Sequence, residues 1–321
     1  MKPARVVLIG GSGFVGSAIA NRLCAAGVEV SIPTRRSIHA DHLRLLPTAD
    51  IVEADVHDPA ALARVVTGAD AVVNLVGILH SRSGSPFGPD FARAHVELPR
   101  KLVAACTAAG VGQLVHVSAL GASADGPSQY QRSKAAGEAE IRAAAPSLAW
   151  TILRPSVMFG RDDHFLNLFA SLARSFPLLP LAGARARFQP VYVEDVAEVV
   201  WHCLTEPTAG GQTYELAGPT IYTLRELVEY VSALAGCPRP VLPLPEGLAM
   251  LQAALMELAP QPMMSRDNVR SMRVDNVAAG APLPFGLTPT AMEAVVPSWI
   301  GSNSPRARFY GFRRHASRPR G

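Results

Sequence analysis

Short apolar blocks separated by turn-forming residues recur along the first half of the chain. Residues 6–9, 28–32, 51–54, 71–76, 113–117 and 150–153 form runs of this kind. Their length and continuity predict strands buried on both faces. Between them, apolar positions follow helical spacing near 14–26, 59–66, 90–109 and 128–144. Repeated strand–helix units predict an α/β fold, a Rossmann-type doubly wound parallel sheet with helices on both faces. Pro99 interrupts the fourth strand's following helix and predicts a kink there. From Arg154 onward prolines become frequent and helices mix with short strands, such as 189–193 and 213–216. This pattern predicts a smaller, irregular α+β lobe. The expected organisation is a sheet domain over 1–153, with contributions from about 187–206, a substrate or partner lobe over 154–300, and a basic tail over 301–321 expected to be disordered.

The first apolar block runs directly into Gly10, Gly11, Ser12, Gly13, Phe14, Val15 and Gly16, and a helical pattern follows. Strand, glycine turn and helix in that order make a phosphate cradle. A tight turn suits Gly10, close backbone approach to a pyrophosphate suits Gly13, and close helix packing suits Gly16. The free N–H groups at the helix start face the anion. The stretch therefore predicts dinucleotide binding, with the ligand at the carboxyl ends of the strands.

Composition supports a large buried core: 321 residues, 49% hydrophobic and 17% charged. The four cysteines, Cys24, Cys106, Cys203 and Cys237, show no metal-ligand spacing and read as reduced thiols of a cytoplasmic protein; no metal is expected. No secretory leader and no apolar stretch long enough to cross a bilayer is apparent. The net charge of +4 comes from the tail, where Arg306, Arg308, Arg313, Arg314, Arg318 and Arg320 lie beyond the last acid, Glu293; without these six the body stands at −2. Basicity is thus not a nucleic-acid face. It leaves open contact of the tail with acidic lipid headgroups or an acidic partner.

Tyr130 and Lys134 lie four apart on a predicted helix, and so on one face. The chain has only three lysines and six tyrosines, which makes a chance Tyr-x-x-x-Lys pair after the fifth strand uncommon. An ammonium beside a phenol is expected to lower the tyrosine pKa, making Tyr130 a general acid or base.

Gly10-x-x-Gly13-x-x-Gly16 together with Tyr130-x-x-x-Lys134 resembles the short-chain dehydrogenase/reductase superfamily in its extended or atypical branch. Further matching blocks are Asp55-Val56, Val73-Asn74-Leu75-Val76-Gly77, His116-Val117-Ser118-Ala119, Leu153-Arg154-Pro155-Ser156 and Pro190 to Ala197. The blocks at 132–138 and 188–191 are similar to bacterial relatives of the nucleotide-binding accessory subunit of respiratory complex I. The resemblance covers the chain to about Ile300. It implies that Asp55 and Val56 line an adenine, that Val76 and Gly77 pass beside the cofactor, that Lys134 binds the nicotinamide ribose, that Tyr130 exchanges a proton with substrate, and that Pro155 covers the nicotinamide. Asp195 reads most simply as a helix N-cap.

Two departures from that pattern bear on activity. The serine or threonine that usually polarises the substrate carbonyl would stand at Ala119 or Leu120, which leaves Ser118 as the candidate and Ser123 as a weaker one. The asparagine of the fourth helix is replaced, by His95. At the end of the second strand no acid grips a ribose; Arg35 and Arg36 stand there instead and suit a 2′-phosphate, so NADP(H) is the expected cofactor with NAD as runner-up. Three functions are expected in this order: an NADP(H)-dependent oxidoreductase acting on a carbonyl or hydroxyl; an NADPH-binding structural or sensing subunit of a membrane-associated respiratory or quinone-related assembly; and a sugar-nucleotide epimerase or dehydratase, for which only Arg154, Arg161 and Arg187 offer anion contacts. The substrate and the oligomeric state stay open.

Overall fold

Alternation within the apolar runs decides which side chains go to which face of the sheet. A computed structural model describes residues 2–259, 262–280 and 282–301. Its main sheet has seven strands: β1 (Arg5–Ile9), β2 (Glu29–Thr34), β3 (Ala49–Glu53), β4 (Ala71–Asn74), β5 (Gln113–Val117), β6 (Ala149–Pro155) and β7 (Gln212–Leu216). They lie in the order β7-β6-β5-β4-β1-β2-β3, all parallel. Val6 and Leu8 of β1 enter the core on one face, beneath α1 (Phe14–Ala25) and α6 (Val193–Thr205). Val7 and Ile9 enter the other, beneath α2 (Pro59–Val66), α3 (Leu98–Ala109) and α4 (Gln129–Arg142). The strand order reverses between β1 and β4, and such a switch point opens a crevice at the carboxyl ends of the strands.

Six strands fall where the hydrophobic pattern puts them, apart from end residues. The seventh differs. Residues 213–216 read as a strand of the second lobe, yet β7 completes the main sheet as an edge strand against β6. Only Leu216 of its five residues is fully buried. An edge strand with so little apolar signal does not announce itself as part of a core.

The expected kink at Pro99 takes a particular form. A helical turn (Pro89–Phe91) passes into a wide π segment (Ala92–Glu97) and then into α3. Pro99 has no N–H for the carbonyl of His95 four residues back, and a widened turn accommodates its ring. That carbonyl faces Gly137 on α4, where a Cβ would lie 2.0 Å from the His95 oxygen. The two helices approach this closely because residue 137 has no side chain.

The second lobe is built on α5 (Phe165–Ser175), α7 (Leu224–Leu234), α8 (Glu246–Met256) and α9 (Arg266–Ser271), with short strand pairs such as Leu179–Leu181 against Val241–Pro243. It has its own small cores, one around Phe159, Leu166, Leu227 and Val231. Asp195 corrects the sequence reading. The extended segment ends at Tyr192, so α6 begins earlier and Asp195 lies in its first turn rather than at its cap. Its carboxylate instead accepts the Thr290 N–H and hydroxyl at 2.7 and 2.8 Å. The basic tail beyond Gly301 lies outside the described residues.

Gly137→Ala is expected to destabilise the protein by about 1–3 kcal/mol, the usual cost of overpacking. Gly247→Ala, on α8 with open space around it, is expected to be neutral or slightly stabilising. Urea unfolding of the two variants beside the parent measures the contrast.

Candidate nucleotide-binding and catalytic site

The glycine turn has the geometry of an anion cradle. Gly10 adopts φ +84°, a left-handed conformation, with Leu75 and Val76 backbone atoms 3.3 Å from where a Cβ would stand. At Gly16 a Cβ would lie 2.4 Å from the Gly11 Cα, so α1 can rest on the turn only without a side chain. Gly13 is different. A Cβ there would meet only the Gly10 oxygen, at 3.5 Å, so the space in front of the residue is open. Gly13 is also the N-cap of α1 and carries no capping side chain. With no capping side chain on Gly13, the N–H groups of the helix's first turn, those of Phe14 and Val15 among them, are the donors that a diphosphate at this turn would use. Ser12 and Phe14 flank it half-buried, and Gly160 passes 3.0 Å from the Phe14 ring at its ideal Cβ.

On one side of the cradle β2 ends at Thr34, and Arg35 and Arg36 follow, both exposed. Arg35 is near enough to His57 to help lower its pKa, behind burial, Arg93 and Lys101, and so lies toward the Asp55–His57 turn. The Asp55 carboxylate accepts the His57 N–H at 3.0 Å, and Asp58 rather than Asp55 caps α2. Val56 is half-buried against the apolar layer behind it. On the other side β4 ends in Asn74, and the chain turns through Val76 to an exposed Gly77. A Cβ at Gly77 would lie 3.2 Å from the Lys134 Nζ. The structure thus brings the β4 turn and the Tyr-x-x-x-Lys helix together.

Helix α4 is positioned at its start by two caps. Ser128 and Gln131 form a reciprocal capping box. The Asp267 carboxylate of α9 then accepts the N–H groups of Gln129 and Tyr130 at 2.8 and 2.9 Å. Asp267 is 137 positions from Tyr130, and no local sequence signal links them. The Tyr130 ring packs edge-on against Phe91 and His95, with centroids 6.1 and 5.7 Å away. One turn on, Lys134 is buried and donates to the Val117 carbonyl at 3.2 Å.

The electrostatics correct one expectation. Burial pushes the Tyr130 phenol up to about 12, and burial lowers Lys134 to about 8. The ammonium is 6.0 Å from the ring centroid. In this dry setting desolvation outweighs the ammonium's pull on the phenol. Tyr130 is accordingly a protonated donor at neutral pH rather than a ready phenolate.

His95, in the place of the usual asparagine, is a buried link. Its Nε2 accepts the Ile78 N–H at 3.1 Å. Its Nδ1 is 2.8 Å from the Ser133 hydroxyl, which donates to the Tyr130 carbonyl at 2.8 Å. These partners require the neutral tautomer with the proton on Nδ1. Burial first, then Lys134 and His116, lower its pKa to about 2. His116 on β5 is likewise held neutral, near 3. It accepts from the Asn74 amide at 3.0 Å, and Asn74 in turn accepts the Val76 N–H at 3.2 Å. Phe91 and Asp267 thus shape the site without having been singled out in the sequence. Asn74 shapes it too; it lies inside the block 73–77 that carries the resemblance, with no role of its own read there.

Ser118 does not join Tyr130 through any hydrogen bond among the described residues. Its buried hydroxyl lies by the Glu138 carboxylate, whose pKa it helps hold down. Glu138, fully buried on α4, is paired with Arg154 at 2.6 Å and Arg142 at 2.8 Å. Ala119 and Leu120, the two places where the resemblance expects a carbonyl-polarising hydroxyl, are half-buried and buried. Pro155 ends β6 and accepts the Leu120 N–H at 3.0 Å.

A parallel sheet that reverses at the cradle, with a Tyr-x-x-x-Lys helix facing it, defines an NAD(P)-binding Rossmann fold of the extended short-chain dehydrogenase/reductase type. More particularly, the chain belongs to the NAD dependent epimerase/dehydratase family, whose model matches residues 6–217. It is similar to NADH dehydrogenase [ubiquinone] 1 alpha subcomplex subunit 9, mitochondrial, of Rattus norvegicus, with 35% identity over 297 residues, 89% of this chain and 77% of that one. It is also similar to the ceramide reductase of Caulobacter vibrioides, with 31% identity over 257 residues, 78% of this chain and 77% of that one. Among solved structures, the dTDP-glucose 4,6-dehydratase DesIV of Streptomyces venezuelae with NAD and TYD bound shares the fold, with a TM-score of 0.71 over 97% of this chain and 98% of that one at 21% identity.

His95 and His116 must gain protons on unfolding in acid, because their folded pKa values lie below the ordinary 6.5. Their effect on stability is flat above that pH, and stability falls progressively as pH drops below it toward the folded values. The urea midpoint is expected to drop between pH 7.5 and 5, and less steeply in His95→Gln.

Proposed function

We propose that this protein binds NADP(H) and acts as a short-chain-type reductase on a carbonyl substrate, or in reverse on a hydroxyl. The observation that carries this reading is the approach of the Lys134 ammonium to Gly77, with the Tyr130 ring centroid 6.0 Å from that ammonium. The nicotinamide, when bound, supplies or accepts the hydride. The open space before Gly13 and the start of α1 would hold the diphosphate. Asp55 and Val56 would lie by the adenine, and Val76, Gly77 and Pro155 by the nicotinamide. Lys134 would bind the ribose hydroxyls and, at neutral pH, keep a positive charge near the substrate oxygen. Tyr130, protonated up to about 12, would donate its proton to the oxygen of a carbonyl being reduced. Arg35 and Arg36, exposed beside the Asp55 turn, would take a 2′-phosphate in preference to a bare ribose.

A second reading has its own support. Ala119 and Leu120 stand where the resemblance expects the polarising hydroxyl, and Ser118 lies against Glu138. Both favour slow turnover and tight cofactor retention, the behaviour of an NADPH-holding subunit in a respiratory assembly; the relative in the rat is an NADH dehydrogenase [ubiquinone] subunit by name. The sugar-nucleotide reading is weaker. Arg154 is committed to Glu138 and Arg187 to Asp275, which leaves Arg161 to greet a second diphosphate.

Titration calorimetry is expected to show NADPH binding, with Arg35→Ala plus Arg36→Ala weakening NADPH about tenfold and NADH little. Absence of binding by either coenzyme overturns the reading. With short-chain and long-chain ketones and aldehydes offered as substrates, Tyr130→Phe is expected to lower turnover about a hundredfold or more at unchanged NADPH affinity. Reduction is expected to decline as pH rises through about 8, where Lys134 loses its charge. Stable NADPH retention with no turnover of any of these carbonyls favours the second reading.

A further inference from the structure

Helix α8 (Glu246–Met256) is amphipathic in the wrong direction for a lobe surrounded by water. Its small residues are inside: Ala249 and Ala253 are 1% and 0% exposed and pack against Ala182 and Val269. Its large ones are outside: Leu248, Leu251 and Leu255 are 54, 58 and 62% exposed. Spaced i, i+3 and i+7, these leucines form one stripe on the face opposite the alanines. Glu246 is the sole charged residue in the eleven of this helix. Isolated exposed leucines are ordinary, but a continuous uncharged stripe marks a covered face.

The surroundings indicate the cover. The helix follows three residues after the strand Val241–Pro243, on which Leu242 is 49% exposed and in register with Pro180. The paired strand is preceded by Phe176 and Leu178, 53% and 42% exposed. The chain leaves the described structure beside them: Arg174, two residues before Phe176, donates to the Ile300 carbonyl at 3.4 Å. Residues 302–321 then carry six arginines and no acid, with Phe309, Tyr310 and Phe312 among the arginines. An uncharged leucine face and a cationic, aromatic segment that leaves the same lobe beside Arg174 have complementary needs. The one takes acyl chains and the other takes anionic headgroups.

We infer that this face of the second lobe rests on an anionic lipid bilayer, with the α8 leucines in the headgroup–acyl boundary and the arginines of the segment after Gly301 on the headgroups. The inference does not depend on the cofactor or on turnover. It places the protein at a membrane surface with its nucleotide crevice still carried by the sheet domain.

The test is co-sedimentation of the full chain with large vesicles of phosphatidylcholine alone and of phosphatidylcholine with a quarter phosphatidylglycerol, at low and at 0.5 M salt. Binding to the anionic vesicles at low salt is expected, reduced at high salt, with little binding to the neutral ones. Leu251→Glu plus Leu255→Glu is expected to weaken partition about tenfold or more. Truncation after Gly301 is expected to abolish the preference for anionic vesicles. Both leucines are exposed, so the double variant should keep the parent's thermal unfolding and NADPH affinity, and those two measurements verify its fold. Failure of the parent to sediment with anionic vesicles overturns the inference. So does a double glutamate variant that binds as the parent does, since the arginines alone would then explain it. Concentration-dependent self-association that this variant abolishes, with no vesicle binding by the parent, overturns it in favour of a second copy as the cover.

Discussion

One backbone contact sets the geometry on which the site depends. Helix α1 can reach the first strand only where Gly16 meets the Gly11 backbone, at a separation that leaves no room for a methyl group. That contact fixes the angle at which the helix leaves the turn. It also fixes where the N–H groups of its first turn lie. The open space in front of Gly13 is a consequence, because the glycines around it draw the chain inward and no side chain returns to fill it. The sheet's reversal between β1 and β4 then brings the Val76–Gly77 turn to the same crevice.

Around this cradle the protein manages charge by desolvation. Lys134, His95 and His116 are buried and Tyr130 beside them is half-buried, and desolvation is the leading cause of the shift in each. Every group is displaced toward its neutral form. The two histidines serve as neutral connectors with defined tautomers, tying the β4 turn to β5 and to α4. Two buried groups stay charged at neutral pH: the Lys134 ammonium, which is lost only above about 8, and the Glu138 carboxylate, which is compensated by Arg154 and Arg142. His95, at the place where the resemblance expects a helix asparagine, presents a rigid ring that also braces Tyr130 by aromatic contact.

Much of the fold is legible in the sequence because buried parallel strands need continuous apolar runs, and six of the seven supply them. The edge strand β7 escapes because one face of it is solvated and its residues are mixed. The cradle is legible because backbone conformation, which only glycine permits, leaves a trace in residue type. The Tyr130 and Lys134 pair is legible because helical spacing is local. The direction of the Tyr130 shift is not, since spacing shows the ammonium nearby but not the dryness that outweighs it. Asp195 misleads for a related reason: an acid near a helix start reads as a cap until the fold supplies Thr290 as its partner. Asp267 is invisible for the same cause, as its role exists only once the two lobes have come together.

That Asp267 contact ties the second lobe to the chemistry of the first. A carboxylate from α9 closes the amino end of the helix that carries Tyr130. The phenol's position is therefore a joint property of two halves of the chain. Divergence of the lobe toward new ligands would move the proton donor along with the pocket wall, so in this architecture recognition and reactivity are inherited together rather than as separable modules.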